Sequence, residues 1–356
     1  MQTNARTEGF RQESTDVVLE VTDGRVTFDM ARGRSRVVND VDLSIRRGET
    51  LAIVGESGSG KSTLGAMLVD AVQDPGTATG GVHYYPGDGR DPIEILDAGD
   101  RTQRQIRWEE ISIVSQAATN AFNPTIPIRR HFTDTFVAHD VPREEGLDRA
   151  REVLADLDLD PDTILDAHQH ELSGGQKQRA QLALSLVLDP EVVILDEPTA
   201  GLDLIVQRNF LSLIYEIKEE YNFTLVLISH DMPVVSGLAD RIAVMYAFEI
   251  VERGEAREIL LSPEHPYTRL MTRAHLGAER DTDEVKPIAG DPPDSINVPT
   301  GCPFHPRCPV ADDRCEVEDP ELRGADGRDH EVACFYPTEA VESIPHSVID
   351  PGGETE

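Results

Sequence analysis

The stretch Gly55-Glu56-Ser57-Gly58-Ser59-Gly60-Lys61-Ser62-Thr63 constrains this chain more than any other, because it fits the pattern G-x-x-x-x-G-K-[ST] between two segments of opposite periodicity. Upstream, Thr50-Leu51-Ala52-Ile53-Val54 is a short apolar run suited to a buried parallel strand; downstream, Leu64 to Val72 carries apolar residues at helical spacing. Glycines let the backbone curl until its N–H groups converge on an anion, and the following helix adds its positive end. Lys61 is placed to reach the β- and γ-phosphates of a nucleotide, and the Ser62 hydroxyl to ligate Mg²⁺. A chain with this element is expected to fold around a parallel α/β sheet that binds a nucleoside triphosphate.

Composition narrows the partners. With 33 basic against 66 acidic residues in a chain of 356, the net charge is −33, and nucleic acid is excluded as a partner because affinity for phosphate backbones needs basic clusters. Hydrophobic content of 39% with regular apolar segments points to a folded protein rather than an acidic disordered one. Lys61, Lys177, Lys218 and Lys286 are the only lysines, a bias that resembles proteins of salt-loving organisms, in whose medium self-repulsion is screened within about 3 Å at 1 M salt. The polar stretch Met1 to Thr15 has no signal-peptide core, and no run approaches the roughly 20 apolar residues of a membrane span.

Along the chain, Val17 to Val21, Arg25 to Phe28 and Val41 to Ile45 alternate as antiparallel strands, and the Gly-, Asp- and Pro-rich stretch from Thr77 to Arg107 reads as turns and a hairpin. Ile111 to Ser115 forms a buried strand ending at Gln116. From Asn123 to Asp166 the period is helical, with Pro161 read as a breaker, so a helical subdomain is inserted at about 120–180. Ser173-Gly174-Gly175-Gln176 then opens a helix and presents a second set of N–H donors. Val192 to Leu195 is an apolar strand ending in Asp196 and Glu197, carboxylates suited to a magnesium shell and to polarising an attacking water. Asp203 follows, and the strand Thr224 to Ser229 delivers His230 to the sheet edge where ligands bind.

In this order, phosphate loop, Gln116, Leu-Ser-Gly-Gly-Gln, Asp196-Glu197, Asp203 and His230 resemble the ATP-binding subunit of an ABC transporter over about Val17 to Gly254. The resemblance implies an α/β phosphate-loop NTPase core with an antiparallel β subdomain and the inserted helical subdomain. It also implies a head-to-tail pair of such domains, in which Ser173 to Gln176 of one cap the γ-phosphate held by Gly55 to Thr63 of the other. Glu197 is then the general base, His230 contacts the γ-phosphate, and Gln116 senses magnesium and the membrane partner, while Ser62 and Asp196 complete the magnesium shell and Asp203 communicates across the interface. Two departures stand out: the adenine-stacking aromatic expected upstream of the loop is missing from Arg32 to Val38, leaving Phe28 nearest, and Phe248 replaces the family's usual glycine.

Beyond Leu261 the sequence turns Pro-rich and irregular and gathers all four cysteines, Cys302, Cys308, Cys315 and Cys334. In a cytoplasmic chain, clustered thiols point to metal rather than disulfides, either zinc or an iron–sulfur cluster, and His305 or His330 can replace a ligand. The His-Pro-Tyr-Thr element at His265 to Thr268, the Gly-Asp-Pro-Pro turn at Gly290 to Pro293 and the cysteine segment resemble the C-terminal extension of oligopeptide/dipeptide/nickel importer ATPases. That resemblance implies a [4Fe–4S] cluster on the four cysteines. The expected organisation is a disordered tail at 1–16, the ATPase domain at 17–261, the extension at 262–340 and an acidic tail at 341–356. The expected function is to power a binding-protein-dependent importer from the cytoplasmic face of the cell membrane, docked on two permeases, with a second ATPase subunit, the same or a sister, and with an extracellular binding protein acting indirectly. Nickel or sugar import, or a soluble non-transport ATPase, are the alternatives.

Overall fold

The computed structural model describes residues 16–115, 122–276, 288–324 and 329–346; Gln116, most of the expected N-terminal tail and most of the acidic tail lie outside the described residues. Two sheets organise the chain. The first has four strands in the order β2-β1-β4-β5, formed by β1 (Val17–Met30), β2 (Gly33–Arg46), β4 (Gly76–Tyr84) and β5 (Ile93–Glu94), with every pairing antiparallel. Sequence alternation suggested two short strands before Phe28, whereas β1 is continuous. Register shifts on either side of Gly24, with Asp23 at φ 49°, mark a bulge that bends the strand without ending it.

The second sheet has eight strands. Its parallel part runs β9-β3-β8-β7-β6, formed by β3 (Thr50–Val54), β6 (Ile111–Val114), β7 (Val192–Asp196), β8 (Thr224–Ser229) and β9 (Arg241–Tyr246). These strands read as continuous apolar runs because both faces are covered. Alternate residues show it: Leu51, Ile53, Val226 and Ile228 pack toward the antiparallel sheet and the helix Lys61–Met67, while Ala52, Val54, Leu225 and Leu227 pack toward the helical subdomain. That subdomain consists of the helices Ile128–Ala138, Arg143–Asp156 and Pro161–Asp166, leading into Gly174–Leu186. Pro161 opens its helix instead of breaking one. Asp160 accepts from the Thr163 N–H as cap, and Pro161 stands where its missing N–H costs nothing. The stretch read as turns after Thr77 also contains a helix, Asp100–Gln105, beyond the β4–β5 hairpin.

Tyr246 and Glu249 pair across a two-residue turn, Ala247 and Phe248, with φ 49° and 78°. Both positive angles match the mirror-image turn whose twist suits a hairpin, which explains why glycine is comfortable at the second position and why Phe248 is strained there. Phe248 is nonetheless buried, and its carbonyl accepts from the Asn39 N–H at 2.9 Å.

The C-terminal extension is less irregular than its sequence. β10 (Glu249–Glu255) receives β12 (Glu331–Val332) and then β11 (Arg323–Gly324), so the extension lengthens the core sheet at its edge. A buried bond from His330 Nε2 to Glu252 Oε1, 2.8 Å, fastens the junction.

Candidate functional site

Five parallel strands end on one side of the sheet, and four of the predicted groups sit there. After β3 the chain makes the phosphate loop. Gly60 has φ 103°, and a Cβ on it would come within 2.1 Å of the Val37 carbonyl oxygen, so only glycine fits before the helix Lys61–Met67. Lys61 folds back over this loop: its Nζ donates to the carbonyl oxygens of Gly55 and Glu56, both at 2.8 Å, and it is 5% exposed. Burial lowers its pKa, opposed by the carboxylates of Glu197, Asp196 and Glu56.

Ser62 Oγ donates to Asp196 Oδ1 at 3.0 Å, which joins the start of the helix to the end of β7. Two oxygen donors from opposite elements at this distance fit the needs of a hard cation. The next residue, Glu197, has φ 51°, an uncommon conformation for a side chain of its size, costing about 1–2 kcal/mol. The bend aims its carboxylate along the strand ends, where Oε1 meets His230 Nδ1 at 2.7 Å. The side chain of Glu197 is 9% exposed and that of His230 56%, so the histidine covers the acid from the solvent side.

Ser173, Gly174, Gly175, Gln176 and Asp203 gather elsewhere. Ser173 and Gln176 form a reciprocal capping box at the head of Gly174–Leu186: Ser173 Oγ accepts from the Gln176 N–H, and Gln176 Oε1 from the Ser173 N–H. Asp203 Oδ1 caps the helix Leu204–Tyr221, accepting from the N–H groups of Ile205 and Val206 at 3.1 and 3.0 Å. These residues line one open concavity of about 750 Å³, and none of Gly55 to Thr63 is among its walls. The described geometry therefore brings together Lys61, Ser62, Asp196, Glu197 and His230, and separates them from Ser173 to Gln176.

The motif-based reading missed several residues. Gln207 Nε2 reaches Thr199 Oγ1 at 3.3 Å and Asp231 Oδ2 at 3.4 Å, tying the segment after Glu197 to the one after His230. The Tyr267 hydroxyl accepts from the Glu56 N–H, and Arg307 pairs with the Glu56 carboxylate. No spacing signal marks contacts between residues so distant in sequence. Phe28, the aromatic nearest to the missing adenine platform, is half-buried, with its ring edge 2.7 Å from where a Cβ on Gly76 would lie.

The cysteines answer their expectation in two halves. All four are unpaired and line one small apolar cavity with Phe304 and Phe335. Yet among the described residues no group of three or more His, Cys, Asp or Glu side chains is arranged to hold a metal ion, so the expected [4Fe–4S] or zinc site is not formed by these side chains as they stand. Burial without a counter-charge pushes the Cys302 and Cys334 thiols up to about 12.

Sequence comparison places this geometry in a family. The ABC transporter pattern matches residues 38–200, and that of the oligopeptide/dipeptide transporter C-terminal region matches 251–315. The dipeptide transport ATP-binding protein DppD of Caldanaerobacter subterraneus is 38% identical over 320 residues, covering 89% of this chain and 96% of that protein. The oligopeptide transport ATP-binding protein OppD of Escherichia coli is 34% identical over 330 residues, covering 92% and 96%. The chain belongs to the ATP-binding subunits of ABC transporters. The dimeric structure of MJ0796, a bacterial ABC transporter cassette, superposes on this ABC ATPase with a TM-score of 0.58 at 26% identity, covering 67% of this chain and 99% of that one. The same cassette in a post-hydrolysis dimer bound to ADP and Pi gives 0.58 at 27% identity, with the same coverage. Among the described residues of the ABC ATPase no helix is long and apolar enough to cross a membrane.

Proposed function

We propose that this ATPase powers the import of dipeptides or oligopeptides, working from the cytoplasmic face of the membrane on two permease subunits that an extracellular binding protein supplies with substrate. The observation that carries the reading is the separation of two half-sites on one chain. Glu197, His230, Asp196, Ser62 and Lys61 converge at the strand ends, while Ser173 to Gln176 and Asp203 face a concavity that contains none of the phosphate loop. A second ATPase subunit, a copy or a sister, completes each site head to tail. The named relatives serve dipeptide and oligopeptide transport, and the cassette superposed above is dimeric, which supports both parts of the reading.

In the completed site Gly55 to Thr63 cradle the phosphates, with Lys61 turning from the loop carbonyls to the β- and γ-phosphates. Glu197 accepts a proton from the attacking water as its oxygen bonds to the γ-phosphorus and the bond to the bridging oxygen breaks. His230 orients that carboxylate through the 2.7 Å contact and faces the γ-phosphate. Ser62, Asp196 and, outside the described residues, Gln116 would hold Mg²⁺, which neutralises phosphate charge when bound. The cleft lined by Trp108, Ser115, Phe122 and His139, between the core and the helical subdomain, is where we place the permease contact.

The thiol cavity remains a candidate metal site on donor chemistry, since four soft ligands share one wall-to-wall apolar space. Protein purified without oxygen should be brown and carry about four irons per chain if it holds a [4Fe–4S] cluster. Neither iron nor zinc, with wild-type proteolytic resistance in Cys308→Ser, would make these thiols packing residues. The function itself is tested in vesicles holding this chain and its permeases: ATP turnover should rise when peptide-loaded binding protein is added. Stimulation by a nickel- or sugar-loaded binding protein instead would replace the substrate class.

A further inference from the structure

The phosphate loop is gripped from outside the ATPase core, and both grips fall on one residue. Glu56 is the second residue of the loop. Its carbonyl oxygen accepts from Lys61 Nζ, while its other two polar groups face the C-terminal extension. The Glu56 N–H donates to the Tyr267 hydroxyl at 2.8 Å, and Tyr267 is fully buried at the start of the helix Pro266–Leu276. The carboxylate is held by Arg307 in a two-pronged pair, Nη1 to Oε2 at 2.8 Å and Nη2 to Oε1 at 2.9 Å. These residues are 251 positions apart in the chain.

Arg307 is built into this role. Its side chain is 5% exposed, and its guanidinium has an acceptor for each of its five N–H groups. Two are used on Glu56; the others go to the Tyr246 hydroxyl at 3.3 Å and to the backbone oxygens of Ala289 at 2.9 Å and Ile288 at 3.4 Å. The plane also lies over the rings of Tyr246 and Phe304, with centroids at 5.7 and 5.9 Å. Tyr246, Tyr267 and Phe304 pack on one another with ring centroids 4.6 to 5.6 Å apart, so a rigid aromatic block fixes both grips. Such a fork cannot be swapped for a lysine, whose three donors radiate from one point.

We infer that Arg307 and Tyr267, contributed by the C-terminal extension, are positioning residues for the phosphate loop, and that the extension thereby sets the affinity of the ATPase for nucleotide. The inference rests on the reading of Gly55 to Thr63 as the ATP site. Glu56 precedes the N–H groups that would cradle phosphate, and its own N–H is committed to Tyr267. Releasing either grip lets the loop sample orientations in which those donors no longer converge. Binding must then reorder the loop, which lowers affinity without touching the groups that carry out hydrolysis. Coupling of this kind is reciprocal, so ATP bound to the loop stabilises the extension by the same factor.

The test uses the full-length protein and ATP with Mg²⁺. Arg307→Gln should raise the KM for ATP about tenfold, within the usual range of site-to-site coupling, while kcat at saturating ATP stays within about twofold. Tyr267→Phe, which keeps the ring and loses only the acceptor, should raise KM about threefold, in line with one net hydrogen bond. ATP should slow proteolytic removal of the extension in the wild type and fail to do so in Arg307→Gln. Should Arg307→Gln misfold, Tyr267→Phe and the wild-type protection experiment decide alone. A KM within twofold of wild type in both single variants, or ATP protection that persists in Arg307→Gln, overturns the inference while leaving the ATP site intact. Failure of the wild type to bind ATP overturns the site and the inference together.

Discussion

The two halves of the proposed ATP site solve opposite problems. At the phosphate-loop half, Lys61, Asp196 and Glu197 are buried and the polar groups are already partnered: Lys61 on loop carbonyls, Ser62 on Asp196, Glu197 on His230 and Glu56 on Arg307. At the signature half, Ser173, Gly174 and Gln176 are exposed around an open concavity, and next to Asp203 stand Leu204 and Ile205, 78% and 73% exposed. Buried charge is stable only when paired, so the first half must be complete within one chain before nucleotide arrives. The second half presents helix-terminal N–H groups and bare apolar side chains that gain most when another surface covers them. In the proposed pair, one half is a finished receptacle and the other a lid for the neighbour's site.

The sharpest way to break this contrast is to disable the finished half. Glu197→Gln should lower ATP turnover about a thousandfold, since a positioned base contributes roughly 10²–10⁴ in rate, while the phosphate contacts of Gly55 to Thr63 remain. With hydrolysis blocked, the ATP-bound pair should accumulate and be seen as a larger species by size-exclusion chromatography with ATP. A variant that turns over ATP at the wild-type rate would remove Glu197 from the chemistry.

How much of this was legible in the sequence follows from how local each signal is. The phosphate loop, Asp196-Glu197 after an apolar strand and Ser173-Gly174-Gly175-Gln176 before a helix are each set within about ten residues, and the structure places them at strand and helix ends as expected. The bend at Glu197, with φ 51°, carries no sequence mark, because nothing about glutamate announces a left-handed backbone. Phe248 was visible as an oddity, but its reason, a hairpin turn needing positive φ, appeared only with the pairing of β9 and β10. The extension was hardest to read. Its contacts, Arg307 to Glu56 and His330 to Glu252, join residues 251 and 78 positions apart, and β12 has only two residues with which to announce a strand.

A smaller effect sharpens the account of the lid. Asp203 has a visible task within its own chain, capping Leu204–Tyr221, and a proposed one across the interface. Asp203→Ala should cost about 1 kcal/mol of stability through the lost cap, whereas Asp203→Asn keeps a capping oxygen and should be near wild type in thermal unfolding. If Asp203→Asn also turns over ATP normally in the assembled pair, the residue is a helix cap and nothing more.

The central claim, that each ATP is enclosed by two chains, is tested most directly by Ser173→Arg, measured for ATP affinity in the isolated chain and for turnover in the assembled transporter. Ser173 lies in the open concavity, away from every residue of Gly55 to Thr63. The account predicts an isolated-chain Kd for ATP within about twofold of wild type, since the binding contacts of one chain are untouched, together with turnover reduced at least a hundredfold, as for other lost donors to a reacting phosphate or oxyanion. Loss of isolated-chain affinity in parallel with turnover would mean that the signature acts on its own chain's nucleotide, and unchanged turnover would mean that it does not act on nucleotide at all.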